Sequence, residues 1–391
     1  MLESFANFLQ NTGLYALISS GGIDAVKTII MIAIACVLLY LAIVKKFEPL
    51  LLLPIAFGML LSNLPMIKDS SAIMMHTEFF TNPEYMTDGK YINVGYICQH
   101  GGLLDLLYLG VKLGIYPPLI FVGIGCMTDF GPLIANPKSI LLGAAAQFGV
   151  FFTFVGALVL SALVPSINFG IKEAASIGII GGADGPTAIY VTKSLAPALL
   201  PAIAVAAYSY MALIPVIQPP IMKLMTRKKD RMIVMEQLRP VSKTEKILFP
   251  IIVTIIVALI IPDAVSLVGC LMLGNLMKES GVVERLTKMA QNELMNIITL
   301  FLGVTVGATA TASSFLSAQT IGIIVLGLIA FCFSTVGGLF LGDIMCWVTK
   351  GKVNPLIGSA GVSAVPMAAR VSQTVGQKEN PSNFLLMHAM G

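Results

Sequence analysis

The sequence has 391 residues, of which 57% are hydrophobic and only 11% are charged, and its mean hydropathy is +0.89. Soluble domains average about 25% charged residues and about 45–50% apolar ones, so a soluble fold could not bury this much apolar surface. The composition therefore excludes a soluble protein and predicts an all-α polytopic membrane protein with roughly ten spans. The net charge of +4 is small, and nothing in the sequence indicates nucleic-acid binding.

Apolar runs mark eleven candidate membrane spans. They lie at about 25–44, 48–64, 102–127, 139–165, 174–196, 198–222, 247–262, 263–277, 294–312, 320–348 and 353–370. A polar stretch at about 66–101 holds only two lysines, whereas Thr226–Lys246 holds seven lysines and arginines. Because cytoplasmic loops are enriched in Lys and Arg, we expect the basic stretch inside and the other outside. Lys45 and Lys46, which follow the first span, then predict an external N-terminus.

The chain contains an internal repeat. Ser176–Val191 aligns with Leu356–Val371 at an offset of 180, and Pro186 aligns with Pro366. Gly58 aligns with Gly274 at an offset of 216, because the external stretch lengthens the first copy. The basic residues precede the second span of the first copy but follow that span in the second copy, which indicates inversion. Inverted repeats with binding sites on interrupted helices are a common plan of secondary transporters.

These observations predict three parts of the chain. The first transmembrane repeat is 1–222, with the external insertion at about 66–101. A basic cytoplasmic linker, 223–246, leads to a second, inverted repeat at 247–391. We expect one interrupted helix in each repeat, and we expect the two interruptions to meet near the bilayer midplane.

The first interruption is GGADGPT, Gly181–Thr187, within a run that is apolar on both sides. Gly and Pro free backbone groups there, which membrane proteins tolerate only inside protein or beside a water-filled cavity. An unpaired Asp at that depth costs roughly 2.5–3.5 kcal/mol, and an adjacent cation would remove the penalty. Carboxylate, carbonyl and hydroxyl oxygens suit a hard cation, so Asp184 is a candidate ligand. The structural alternative is that Asp184 caps the following half-helix.

The second interruption is Asn354–Arg370, which offers an amide oxygen, two serine hydroxyls and flexible glycine backbone. Its candidate ligands are the Asn354 amide oxygen, the Ser359 and Ser363 hydroxyls and the backbone of its glycines. Arg370 aligns with Tyr190 of the first repeat, and a base here could pair with Asp184 or hold an anionic group. The alternative for Arg370 is snorkelling to the nearest interface.

Two further segments carry polar groups. Asp129, in Thr128–Pro132, is a second ligand or proton carrier, or else a cap at an interfacial helix end. Tyr208 and Tyr210 lie in an apolar helix, where they could line a polar path or serve packing and interfacial anchoring. The sequence has no Walker A, His-Glu-x-x-His or Gly-x-Ser-x-Gly motif.

Six longer runs resemble one known family. They are KKFEPLLLLPI (Lys45–Ile55), MTDFGPLIANP (Met127–Pro137), GIIGGADGPTAIY (Gly178–Tyr190), AVAAYSYMALIPVIQPPIMK (Ala204–Lys223), GNLMKESGVVERL (Gly274–Leu286) and NPLIGSAGVSAVPMAAR (Asn354–Arg370). On these runs the sequence resembles the beta subunit of biotin-dependent, sodium-pumping decarboxylases. That family acts on oxaloacetate, methylmalonyl-CoA or glutaconyl-CoA.

The resemblance implies the activity. An alpha subunit transfers a carboxylate to biotin on a carrier, and the membrane subunit receives carboxybiotin, consumes a proton, releases CO2 and exports Na+. It implies roles in this path for Asp184, Tyr210, Asn354, Gly358, Ser363 and Arg370, whereas Ser359 and Asp129 are our additions. It also implies a small gamma or delta subunit, a homo-oligomer and the bacterial inner membrane. Family members continue past FLLMHAMG with another apolar helix, so we expect a truncated C-terminus.

A second function class stays open on the residues alone. A sodium-coupled secondary transporter of a small carboxylate would need the same interrupted helices, with Arg370 binding the substrate carboxylate. The two hypotheses differ in their partners, because only the pump requires a biotin carrier and releases CO2.

Overall fold

A computed structural model describes residues 12–19, 21–46, 49–65, 75–80, 82–87, 91–182, 184–211, 213–236, 238–362 and 367–390. This part of the chain is mainly helical, as the composition predicts. Its only strands are a two-stranded antiparallel ribbon, Met86–Thr87 (β1) with Tyr91–Ile92 (β2), inside the predicted external insertion.

The helices of the predicted first repeat follow one another closely. They are α1 (Gly13–Ser19), α2 (Gly22–Ile43), α3 (Pro49–Asn63), α4 (Val94–His100), α5 (Leu103–Lys112), α6 (Tyr116–Met127), α7 (Gly131–Ala135), α8 (Ile140–Ala146), α9 (Phe148–Leu163), α10 (Ile171–Gly178), α11 (Gly185–Leu195), α12 (Leu200–Met211) and α13 (Ile214–Met225). Short 3-10 helices join several of them, at Thr77–Phe80, Pro83–Tyr85, Pro137–Ser139, Ile179–Gly182 and Pro197–Leu199.

The predicted linker contains one short helix, α14 (Lys228–Arg231), and ends where Ser242 and Glu245 form a capping box. The predicted second repeat begins there. Its helices are α15 (Lys243–Ile260), α16 (Val265–Ser280), α17 (Glu284–Met289), α18 (Met295–Ala308), α19 (Ala312–Phe315), α20 (Ala318–Val348), α21 (Met367–Glu379) and α22 (Leu386–Met390). Pro262–Ala264 and Pro355–Val362 are 3-10 helices, and Ala290–Leu294 is a π-helical turn between α17 and α18.

Three helices of the described chain are long and apolar enough to cross a membrane, namely Gly22–Ile43, Pro137–Leu163 and Ala318–Val348. A fourth candidate is the pair α5 and α6, which is bent by 70° at its break. The apolar runs had predicted eleven spans. The difference arises because Gly and Pro divide many runs into shorter helices, such as α12 and α13 within the run at 198–222.

Helices of the two predicted repeats pack against each other reciprocally. A Cβ added to Gly58 of α3 would lie 2.1 Å from the carbonyl oxygen of Val304 in α18. A Cβ added to its sequence counterpart Gly274 in α16 would lie 2.0 Å from the carbonyl oxygen of Val122 in α6. Both contacts therefore require glycine, because any side chain would meet backbone. Helix α3 of the predicted first repeat thus packs closely on α18 of the predicted second repeat, and α16 packs closely on α6.

Helix α20 brings the two predicted interruptions together. The Ser334 hydroxyl donates a hydrogen bond to the carbonyl oxygen of Gly181 in the first interruption. One turn further along α20, Gly338 meets Gly358 of the second interruption, where an added Cβ would lie 2.1 Å from a backbone oxygen. One helix thus fixes both segments about one helical turn apart.

Candidate functional site

The first candidate segment changes conformation at Asp184. Helix α10 passes into the 3-10 turn Ile179–Gly182, and Asp184 then adopts an extended conformation with φ −116° and ψ 96°. Helix α11 begins at Gly185, with Pro186 in its first turn. Proline is tolerated there because backbone N–H groups in the first turn have no acceptor within the helix. Ala183 lies outside the described residues. Helices α10 and α11 are therefore separate α-helices, with the Gly- and Pro-containing segment between them.

Asp184 caps helix α11, and its carboxylate can accept further hydrogen bonds or bind a cation. Its Oδ1 accepts the backbone N–H of Thr187 at 3.4 Å, and its Oδ2 accepts the Thr187 hydroxyl. A carboxylate offers about four acceptor positions, so two of them accept no hydrogen bond from the described residues and are available to another donor or a cation. The structural alternative, helix capping, is therefore present in the fold, and it does not exclude ion binding.

The second candidate segment is anchored to the linker by Asn354. Its amide Nδ2 donates to the carbonyl oxygens of Arg231 at 3.0 Å and Ile233 at 2.8 Å. Its Oδ1 accepts the backbone N–H of Leu356 at 3.0 Å. The buried side chain thus holds the start of the 3-10 helix Pro355–Val362 against the linker.

Ser359 lies at the centre of a buried hydrogen-bond network. Its hydroxyl donates to the Leu356 carbonyl oxygen at 2.8 Å and lies 2.8 Å from the Ser372 hydroxyl oxygen. Its backbone carbonyl accepts the side-chain amide of Gln218 at 3.0 Å. These contacts connect the second segment to α21 and α13. In this arrangement the Ser359 hydroxyl forms hydrogen bonds within the protein and stabilises the fold.

One cavity of about 270 Å³ receives residues from both candidate segments. It is lined by Gln147, Val150, Ile179, Gly182, Asp184, Thr187 and Gly361. Gly361 belongs to the second segment, where a Cβ would lie 3.0 Å from that of Ala146. The half-buried Asp184 thus faces a cavity bounded partly by the second segment. Carboxylate, hydroxyl and amide oxygens together form a donor set that suits a hard cation.

Comparison with known proteins decides the family. The family model described as "Na+-transporting oxaloacetate decarboxylase beta subunit" matches residues 27–391. The chain belongs to this family. It is 57% identical to methylmalonyl-CoA decarboxylase subunit beta of Propionigenium modestum over 391 residues, covering 100% of this chain and 95% of the relative.

Two further relatives have different substrates in their names. The chain is 56% identical over 362 residues to glutaconyl-CoA decarboxylase subunit beta of Acidaminococcus fermentans, covering 93% of this chain and 87% of the relative. It is 50% identical over 419 residues to the probable oxaloacetate decarboxylase beta chain of Vibrio cholerae, covering 100% and 95%. The resemblance inferred from the six sequence runs is therefore confirmed, and the function is that of a membrane subunit of a decarboxylation-driven sodium pump.

Two other predicted residues of this beta subunit, Arg370 and Tyr210, are not among the residues that line that cavity. The Arg370 side chain is exposed and has no ion-pair partner among the described residues. The Tyr210 hydroxyl donates to the Ile324 carbonyl oxygen of α20, and its ring packs against Gly327. Ser363 lies outside the described residues, so its predicted role as a ligand stays a prediction.

Asp129 lies in a different place, at the loop after α6. Its Oδ1 lies 3.1 Å from the Lys246 ammonium and accepts the Gly131 N–H at 2.9 Å. Partial burial would raise the pKa of Asp129, but these hydrogen bonds and the Lys246 charge outweigh it and hold that pKa below its usual range. Lys246 also lies 3.8 Å from Glu279. The structure therefore does not bring Asp129 into the cavity that Asp184 lines.

The sequence reasoning missed Gln147 and did not single out Thr187. Gln147 lies at the junction of α8 and α9, and it is the one amide side chain in the apolar run Ile140–Leu163. Polar side chains in apolar membrane segments are rare, so this isolation was an available signal. That Gln147 lines the same cavity as Asp184 depends on how α9 packs on the first segment, which periodicity does not reveal.

Proposed function

We propose that this chain decarboxylates carboxybiotin presented by a partner subunit, consumes a proton and exports Na+ through a site centred on Asp184. Membership of the beta-subunit family supports the overall activity. The observation that carries the site is the cavity that Asp184 shares with Gly361. It unites the two sequence segments in which the candidate ligands occur.

The proposed ion site follows from electrostatics. A carboxylate in a low-dielectric setting is costly unless a cation or a proton neutralises it. Asp184 has unused acceptor positions, and the Thr187 hydroxyl and Gln147 amide add oxygen donors to the same cavity. Na+ is a hard cation that binds such oxygens. Asp184 therefore exchanges Na+ for a proton, and Asn354, Gly358, Ser359 and Ser363 shape the second half of the path.

The proposed architecture is a pair of inverted repeats with one interrupted helix each, meeting near the bilayer midplane. The reciprocal contacts of Gly58 with Val304 and of Gly274 with Val122 support a twofold relation between the halves. The two 3-10 helices end at Gly182 and Val362, which are 180 positions apart, the same offset as the sequence repeat. Movement of one helix bundle against the other would give alternating access to Asp184.

The proposed partners supply the chemistry that this chain lacks. A carboxyltransferase with a biotin carrier, the alpha subunit, delivers the carboxylated prosthetic group from the cytoplasm. The basic stretch Thr226–Lys246 offers a cytoplasmic surface for that delivery, and the exposed Arg370 guanidinium is available to a carboxylate. A gamma or delta subunit, further copies of this chain and the lipid of the bacterial inner membrane complete the assembly.

Reconstitution into vesicles tests this proposal. The wild-type complex should release CO2 from carboxybiotin at a rate that rises with Na+ concentration, and it should accumulate Na+ in inverted vesicles. Asp184→Asn should abolish both activities, because a neutral amide cannot alternate between Na+ and a proton. Asp263→Asn, at an exposed carboxylate in the turn before α16, is the matched control and should retain both.

Near wild-type transport by Asp184→Asn would remove Asp184 from the mechanism. Sodium-driven uptake of a small carboxylate without CO2 release would instead support the secondary transporter. Family membership favours the pump between these two.

A further inference from the structure

One buried hydroxyl near Asp184 has no partner. The Tyr208 side chain is only 2% exposed, and its hydroxyl makes no hydrogen bond within the described part of the chain. Leaving a buried polar group unsatisfied destabilises a fold, so such a group in a native structure needs an explanation. A ligand that is absent from the protein chain itself is one such explanation.

Tyr208 lies directly against the first turn of α11. A Cβ added to Gly185 would lie 2.3 Å from Cε1 and 2.5 Å from Cζ of Tyr208. Glycine at 185 therefore makes room for the aromatic ring. Because the hydroxyl is bonded to Cζ, it lies beside the residue that immediately follows Asp184.

The neighbouring hydroxyls are already engaged. The Thr187 hydroxyl donates to Asp184, and the Tyr210 hydroxyl donates to the Ile324 carbonyl oxygen of α20. Of these three hydroxyls around the first segment, only that of Tyr208 is free to serve a bound ion. The paired tyrosines of α12 thus differ in what their phenols contact.

We propose that Tyr208 supplies a phenol oxygen to the sodium site of Asp184. With Na+ present, a lone pair of this oxygen faces the ion. This inference rests on the proposed function and adds a ligand to its site.

The test compares two conservative variants, Tyr208→Phe and Tyr116→Phe, in the assembled complex. The Tyr116 hydroxyl donates to the Leu107 carbonyl oxygen at 2.8 Å, so it is a buried phenol with a protein partner. The first measurement is CO2 release against Na+ concentration. The second is the rise in melting temperature that Na+ produces, because a ligand stabilises the state it binds.

Tyr208→Phe should raise the half-saturating Na+ concentration about tenfold, the factor that about 1.4 kcal/mol gives. Without Na+, it should melt at or above the wild-type temperature, because it loses an unsatisfied hydroxyl. Tyr116→Phe should do the reverse, with a lower melting temperature and an unchanged response to Na+.

If the wild-type complex responds to Na+ and the Tyr208→Phe complex responds equally, the role of Tyr208 is overturned and the proposed function is not. A wild-type complex with no response to Na+ in either measurement would overturn the proposed function, and this inference with it. Retained Na+ affinity together with a lowered melting temperature would identify Tyr208 as a packing residue and also contradict the inference.

Discussion

At the scale of single residues, two predicted ligands of the second segment, Asn354 and Ser359, form hydrogen bonds to other protein groups that stabilise the fold. All three polar contacts of Asn354 are to backbone atoms of the linker and of the adjacent turn. The Ser359 hydroxyl is likewise satisfied by Leu356 and Ser372. Their predicted roles in the ion path therefore use either a lone pair that these contacts leave free or a second arrangement of this segment in which the contacts are exchanged.

Gly358 provides a prediction at this scale. Gly358→Ala should lower the melting temperature by several degrees and strongly reduce Na+-dependent CO2 release. A Cβ there would lie 2.1 Å from the Gly338 carbonyl oxygen, so α20 and the second segment must separate. Overpacking of this kind costs typically about 1–3 kcal/mol. Thermal unfolding of the purified complex measures the first effect.

The control for Gly358 is Gly143→Ala in α8. No atom lies within 4 Å of a Cβ at Gly143, so this change adds a methyl group to open space. Alanine favours a helix over glycine by about 1 kcal/mol, so the control should be neutral or slightly stabilising. Equal melting temperatures for the two variants would contradict the close contact.

At the scale of elements, helix α20 is the support for both segments. Its 31 residues carry Ser334 under the first segment and Gly338 under the second. Because both contacts lie on one rigid helix, displacement of either segment changes its position relative to the other. This coupling is what a site divided between two segments requires for concerted access.

Ser334→Ala tests that support. Removal of the hydroxyl leaves the buried Gly181 carbonyl oxygen without this donor, which should cost about 1–3 kcal/mol. We expect a lower melting temperature and a weaker response to Na+, since Gly181 precedes Asp184 in the same segment. Thr335→Val is the matched control, because the Thr335 hydroxyl bonds only to Phe331 within α20, at 3.0 Å. If both variants behave alike, the contact with Gly181 does not position the site.

At the scale of the whole molecule, close helix packing and an ion-pair cluster connect the two predicted repeats within the described residues. Lys246, at the start of α15, contacts Asp129 from the loop after α6 and Glu279 near the end of α16. The cluster thus links the predicted first repeat, the linker and the second repeat. Asp129 was a candidate ligand because it precedes a Gly-Pro pair in the sequence. In the fold, its carboxylate instead forms an ion pair with Lys246.

This cluster predicts a pH dependence. The pKa of Asp129 in the folded protein lies below its usual value, so its stabilising contribution is present above the unfolded pKa of about 3.9. That contribution is lost as the pH falls through the lower, folded pKa. Asp129→Asn should therefore lower the unfolding free energy at pH 7 by at most about 1 kcal/mol, since the pair is partly exposed to solvent.

The difference between wild type and Asp129→Asn should shrink towards zero as the pH falls well below 4. Unfolding measured at several pH values checks this, with Glu284→Gln as a control. Glu284 pairs with Lys288 on an exposed helix surface, so its removal should change stability little at any pH. A difference for Asp129→Asn that grows on acidification would contradict the ion pair.

The sequence by itself determined the helical membrane class, the family and the two segments that carry the candidate ligands. Composition decides the first, because so much apolar surface requires lipid as solvent, and the Gly, Pro and Asp pattern decides the last. Helix breaks were likewise readable, because Gly and Pro act locally on the backbone.

Only the tertiary structure decided which groups meet. Gln147 lines the same cavity as Asp184 because α9 packs on the first segment, and Asp129 pairs with Lys246, which lies 117 positions away in the chain. The free phenol belongs to Tyr208 rather than Tyr210 because α20 offers its carbonyl oxygen to only one of them. Partnerships of this kind depend on contacts between residues far apart in sequence, and periodicity and composition carry no information about them.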